Sequence, residues 1–259
     1  MLLERNTIAS GACGALVEAL NTAEADGTRS DIAAAMCSLA ESEEGCASLV
    51  AAGACGVLVE ALKTAEDDGA KNQIAWAMNR FAMNKEGLAS LFAAGACSTL
   101  VQALKIAEMD RTISQIAWVM KYLSLNEEGR ASLVAAGACC VLVEALKIAE
   151  EDFPKSSIAH VMRSLAKKKK VRTILVSAGA CSALVEVLKV AEDDDTRGDI
   201  ADAIHSLAKN EEGCASLAAA GACGALEAAQ LVVVRRKRSI GDALQSLQTG
   251  HPNKKIKLC

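Results

Sequence analysis

Apolar residues recur along the chain at helical spacing. In the stretch that opens at Gly53, the positions Cys55, Leu58, Leu62 and Ala65 lie three or four residues apart and form one face of a helix of about three turns. The segment Ala65-Glu66-Asp67-Asp68-Gly69 breaks the pattern. Ile74, Met78 and Phe81 then restore it as the buried stripe of a second helix. A short third helix is predicted from Glu86 to Ala94, closed by Gly95, because glycine just past a helix end adopts a left-handed conformation that other residues resist.

This order of elements returns along the chain. Gly-Ala-Cys occurs at Gly11, Gly53, Gly95, Gly137, Gly179 and Gly221, always 42 residues apart. Five complete units follow, 9–50, 51–92, 93–134, 135–176 and 177–218, with an altered capping unit over 219–248 and a basic tail over 249–259. One such unit cannot bury its own apolar face, so neighbours must stack into one continuous core. The expected architecture is all-α, a single solenoid over 1–248. Met1 falls within the first short helix, which Gly11 is expected to end as Gly53 does one unit later.

The run Asn126-Glu127-Glu128-Gly129-Arg130-Ala131-Ser132-Leu133-Val134-Ala135-Ala136-Gly137-Ala138-Cys139, continuing to Leu142-Val143-Glu144-Ala145-Leu146, resembles the first two helices of an armadillo repeat. Ile74-Ala75-Trp76-Ala77-Met78 resembles the third helix of that repeat, tryptophan included. The resemblance spans roughly Thr7 to Leu247. It implies a right-handed α-solenoid of about six three-helix repeats, with the tryptophan-bearing helices lining a concave groove. Many family members carry proline directly after the Gly-Ala-apolar phrase; this chain has Gly14, Gly56, Ser98, Cys140, Ser182 and Gly224 there.

Composition narrows the class further. Hydrophobic residues make up 52% and aromatic residues only 2%, with two prolines, a mix that favours helices over sheets. The net charge of −4 gives no reason to expect nucleic acid as a partner. No apolar run is long enough to span a bilayer, and Met1-Leu2-Leu3-Glu4-Arg5 lacks a signal-peptide core, so a cytoplasmic protein without a membrane partner is expected.

The six phased cysteines stand where related repeats carry isoleucine or leucine and read as small buried hydrophobes. Equivalent residues of stacked helices lie about 8–10 Å apart, too far for a disulfide ladder. Cys37, Cys46, Cys140, Cys214 and Cys259 are scattered. Without a CxxC or a paired histidine at helical spacing, no metal or other cofactor is expected.

Candidate function lies on the face opposite the buried stripe of the tryptophan-bearing helices. In the second unit that face holds Gln73, Trp76, Arg80 and Met83. The Trp76 phase continues as Ala34, Trp118, His160 and Asp202; four residues on stand Ser38, Arg80, Tyr122, Ser164 and Ser206. Gln115 repeats Gln73. Both tryptophans and the one tyrosine thus share a surface, as binding grooves require of their anchors. The column Cys37, Asn79, Lys121, Arg163 and His205 turns cationic along the chain, as does Glu41, Met83, Leu125, Lys167 and Lys209, which suits a partner with an acidic stretch. The family's peptide-gripping asparagine, one turn after the tryptophan, is missing, so the clamp of the nuclear import adaptors does not carry over intact.

Charge also collects at the turns. Glu66-Asp67-Asp68, Glu150-Glu151-Asp152 and Asp193-Asp194-Asp195 align as an acidic edge, either a solvated surface or a lure for a basic partner. Lys167-Lys168-Lys169-Lys170 replaces the Asn-Glu-Glu-Gly phrase of the preceding unit. Arg235, Arg236, Lys237 and Arg238, with Lys254, Lys255 and Lys257, are candidates for a nuclear-import signal or a polar cap. No convergent set of acid, base or nucleophile is present, which argues against an enzyme and a small-molecule substrate. What remains is a protein-binding scaffold, with a structural spacer and a nuclear-transport-type cargo adaptor as alternatives.

Overall fold

The computed structural model describes the backbone of residues 2–232 and 242–247, with side chains over 11–229 and 242–247. Every regular element among these residues is helical. Numbered in chain order, the short first helices are α3 (Glu43–Ala51), α6 (Lys85–Ala93), α9 (Glu127–Ala135), α12 (Lys169–Ser177) and α15 (Glu211–Ala219). The second helices are α1 (Leu2–Thr22), α4 (Ala54–Thr64), α7 (Ala96–Ile106), α10 (Ala138–Ile148), α13 (Ala180–Val190) and α16 (Ala222–Val232). The third are α2 (Asp26–Leu39), α5 (Asp68–Ala82), α8 (Asp110–Leu123), α11 (Asp152–Leu165) and α14 (Asp194–Leu207).

Local sequence explains the breaks. Gly53, Gly95, Gly137, Gly179 and Gly221 all have positive φ, between 79° and 90°, and turn each first helix sharply into its second. The predicted helix Glu86–Ala94 is α6, with Ala94 as its C-cap and Gly95 at φ 80°. Gly11 does not follow this rule: α1 runs through it from Leu2 to Thr22. In later repeats the bent first helix docks on the first helix before it, as α6 does on α3 and α15 on α12.

The first helices start on side-chain caps. Ser42, Asn84, Asn126 and Asn210 accept the N–H of Gly45, Gly87, Gly129 and Gly213. Those glycines allow close approach; a Cβ at Gly129 would lie 1.8 Å from the Leu123 carbonyl oxygen. In α12 both features are gone: Lys168 stands at the N-cap with no side-chain capping bond and Val171 in the glycine position. The lysines that replace the Asn-Glu-Glu-Gly phrase are therefore Lys168 to Lys170, one residue later than the expected alignment from Lys167.

The chain divides into two compact units, Met1–Ala136 and Gly137–Cys259. In the first, α2, α5 and α8 pack in succession, with α4 on α7; in the second, α11 packs on α14 and α10 on α13. Ile74, Met78 and Phe81, the expected stripe of α5, are fully buried. Cys13, Cys55, Cys97, Cys139 and Cys181 are buried, and Cys223 is partly so. Burial pushes the thiols of Cys55, Cys97 and Cys139 up to about 11 and that of Cys181 to about 12. The scattered cysteines divide: Cys37, Cys46 and Cys214 are buried, Cys140 is exposed, and Cys259 lies outside the described residues.

The acidic turns have a structural task. The Asp26 carboxylate accepts the backbone N–H groups of Glu66 and Asp67 in the next turn at 2.8 and 2.7 Å. Asp68 accepts the N–H of Met109 at 2.9 Å, and Asp152 those of Glu192 and Asp193 at 2.8 and 2.5 Å. Asp67 and Asp193 cap their own helices. Much of the expected acidic edge therefore ties neighbouring repeats together within each unit.

Residues 242–247 are helical and read Asp-Ala-Leu-Gln-Ser-Leu, matching Asp202-Ala203-Ile204-His205-Ser206-Leu207 with two residues deleted. Ala243 and Leu244 are buried as their counterparts are. The basic clusters at Arg235–Arg238 and Lys254–Lys257 lie outside the described residues.

Candidate functional site

The α5 helix turns its small and apolar residues Ile74, Ala77, Met78 and Phe81 inward, which leaves Trp76 on the other side, 40% exposed. Gln73 and Arg80, one turn before and after it, are half-buried. On the packed neighbour α8, Gln115, Trp118, Lys121 and Tyr122 are half-buried as well. These seven expected groove residues therefore come together on two adjoining helices.

Polar contacts fix their arrangement. Asn79 Nδ2 donates to Gln115 Oε1 at 3.1 Å, joining α5 to α8. Arg80 reaches the other way and pairs with Glu41, just past α2, at 3.4 Å. The Lys121 ammonium lies 4.2 Å from the Trp118 ring centroid, and the Tyr122 ring stands 6.0 Å from Trp118 at a tilt of 43°. A tryptophan held by a cation on its face and a ring at its side is restrained before any partner arrives. Gln73 Oε1 and Asn79 Oδ1 are buried and have no hydrogen-bond donor among the described residues. Beyond the tryptophan face, Met83 and Leu125 are 61% and 62% exposed.

In the second unit the expected residues are more fully engaged with one another. His160 Nε2 lies 3.1 Å from the Asp199 carboxylate, which also accepts the Ser156 hydroxyl at 2.6 Å. Arg163 pairs with Asp202 at 2.9 Å, and Ser206 Oγ donates to the Asp202 carbonyl. His205 Nδ1 meets Ser246 Oγ at 2.8 Å and the Asp242 carbonyl at 3.1 Å. Ser164 is half-buried on α11. The column that reads as cationic in sequence is thus balanced at Arg163 and occupied at His205. Asp199 and Ser246, which hold these contacts, escape a sequence reading because each acts on a residue one repeat earlier. The only hint is that Asp199 shares the phase of Gln73 and Gln115.

Among the described residues no cluster of histidine, cysteine or carboxylate side chains could hold a metal ion, and no single helix is long and apolar enough to cross a membrane.

Neither a protein-family model nor a curated protein sequence matches the chain. Solved structures do. A designed armadillo repeat protein superposes with a TM-score of 0.76 at 25% identity, covering 90% of this chain and 99% of its own. Computationally designed armadillo repeat proteins for modular peptide recognition match with a TM-score of 0.76 at 26% identity, over 90% of this chain and 98% of theirs. A third designed armadillo repeat protein, in complex with the peptide (KR)4, matches with a TM-score of 0.72 at 27% identity over 92% of this chain and 98% of its own. The fold is an armadillo-like helical repeat.

Proposed function

We propose that the chain is a non-enzymatic protein-binding scaffold that takes an extended segment of a partner protein across α5 and α8. The observation that carries this reading is the half-exposed Trp76 beside the Trp118, Tyr122 and Lys121 cluster, in a chain with two tryptophans and one tyrosine. Restrained aromatics on an accessible face supply binding energy with little loss of side-chain entropy.

Structural neighbours designed for peptide recognition favour the same class of function. One of them holds a basic peptide. Here Arg80 and Lys121 flank the tryptophans, so a segment with apolar anchors and acidic neighbours fits better than a basic one.

The test is a peptide array probed with the full chain, followed by titration of selected peptides against intrinsic tryptophan fluorescence. Peptides that shift the emission and lose binding to the Trp76→Ala, Trp118→Ala variant support the groove. If no peptide meets both conditions, the alternative of a structural spacer in a larger assembly replaces it.

A further inference from the structure

Among the described residues of the second unit, most cations outside one patch are paired or hydrogen-bonded. Lys147, Lys189 and Arg197 pair with Glu144, Glu186 and Asp194, three residues before each of them. Lys155 is buried against Asp152, and Arg163 pairs with Asp202. Arg172 turns back to donate to the carbonyls of Ala166 and Lys167. Lys167, Lys169 and Lys170, by contrast, are exposed cations within a run of four lysines, and Lys209 is exposed one repeat after Lys167. Lys167, Lys169, Lys170 and Lys209 form no ion pair among the described residues.

This patch departs from the other described first helices, each of which has a side-chain cap and at least one first-turn glutamate. At the same place, α9 and α15 carry Asn126 or Asn210 as a cap and Glu127-Glu128 or Glu211-Glu212 in the first turn. Those side chains place oxygens where helical N–H groups and the helix dipole favour them. The fourth repeat replaces the cap and both carboxylates with lysine, which opposes the dipole and concentrates like charges. A local conflict of this kind is relieved by a ligand that brings carboxylates to it.

We infer that the Lys167–Lys170 surface docks an acidic segment of a partner protein, whose carboxylates take the place of the missing glutamates. Glu128 and Glu212 in the neighbouring repeats identify the chemistry that suits this position. A long polyanion such as nucleic acid, or an anionic membrane, fits less well. Either would extend over Glu211 and Glu212 next to the patch and meet a chain of net charge −4. The inference rests on none of the residues of the α5 and α8 face and stands or falls independently of it.

The test compares the full chain with its Lys169→Glu, Lys170→Glu variant, which restores the first-turn carboxylates of the other repeats and is expected to melt no lower than the parent. Binding of a labelled oligo-glutamate peptide should weaken at least about tenfold in the variant and fall with added salt in the parent. A Trp76→Ala, Trp118→Ala chain should bind the same peptide as the parent does. Equal binding by parent and lysine variant overturns the inference. So does tighter binding of the parent to a single-stranded oligonucleotide or to phosphatidylserine vesicles than to oligo-glutamate, and so does loss of oligo-glutamate binding in the tryptophan variant.

Discussion

The carboxylate of Asp26 accepts the backbone N–H of Asp67, 41 residues later, at 2.7 Å. Asp152 stands in the same relation to Asp193. One aspartate at the start of a third helix therefore fixes the path of the following turn, and repeat order is maintained by charge-assisted hydrogen bonds as well as by apolar stacking.

Removing that charge should loosen the stack. The Asp67 N–H, assisted by the Glu66 N–H and by Arg29, holds the Asp26 carboxyl below its ordinary value, against the opposing effect of burial. A group with a depressed folded value contributes stability above the unfolded carboxylate value, near about 3.9, and loses it as pH falls through the folded value. Asp26→Asn should cost about 1–3 kcal/mol at neutral pH and shrink the acid-induced loss of stability. Denaturant midpoints between neutral pH and pH 3 check both effects.

Two glycines three residues apart should respond in opposite directions. Gly53 has φ 89°, whereas Gly56 lies within α4, and a Cβ added there would meet nothing within 4 Å. Gly53→Ala should destabilise by roughly 1–2 kcal/mol, the strain of a left-handed residue. Gly56→Ala should stabilise by about 0.5–1 kcal/mol through helix propensity. Thermal melts of the two single variants decide the matter.

Thiol reactivity should separate the cysteines by burial. In a Cys259→Ser background, Cys140 should react first with a small thiol reagent, while Cys55, Cys97, Cys139 and Cys181 stay protected by burial and raised thiol values. Peptide mapping after brief labelling reads the order. Rapid native-state labelling of Cys97 would contradict the repeat register.

The two tryptophans should differ as anchors. Trp76 is the more exposed, so Trp76→Ala should reduce partner binding with little change in melting temperature. Trp118 packs with Tyr122 and Lys121, so Trp118→Ala should weaken binding roughly thirtyfold and lower the melting temperature as well. Calorimetry and titration on the same preparations measure the two effects separately.

For the basic clusters outside the described residues, the proposal is nuclear import. A reporter fused to residues 231–259 should accumulate in nuclei, and alanines at Arg235 to Arg238 should return it to an even distribution. An even distribution of the unaltered fusion favours the role of a polar cap.

The chain's own periodicity determined its helices, its repeat and most of its core. Gly95 marks a turn, and Cys55, Ile74 and Phe81 mark buried faces, because each signal is a short-range property of a helix within one unit. The shared face of Trp76 and Trp118 was legible for the same reason. Contacts between repeats were decided only in three dimensions. Arg163 reads as a free cation until α14 brings Asp202 to 2.9 Å, and Asp152 reads as part of a solvated acidic edge until the next turn presents its N–H groups. Gly11 reads as a break, yet α1 runs through it. Residues about 40 positions apart meet according to how helices cross and stack, and no local pattern in the sequence records that geometry.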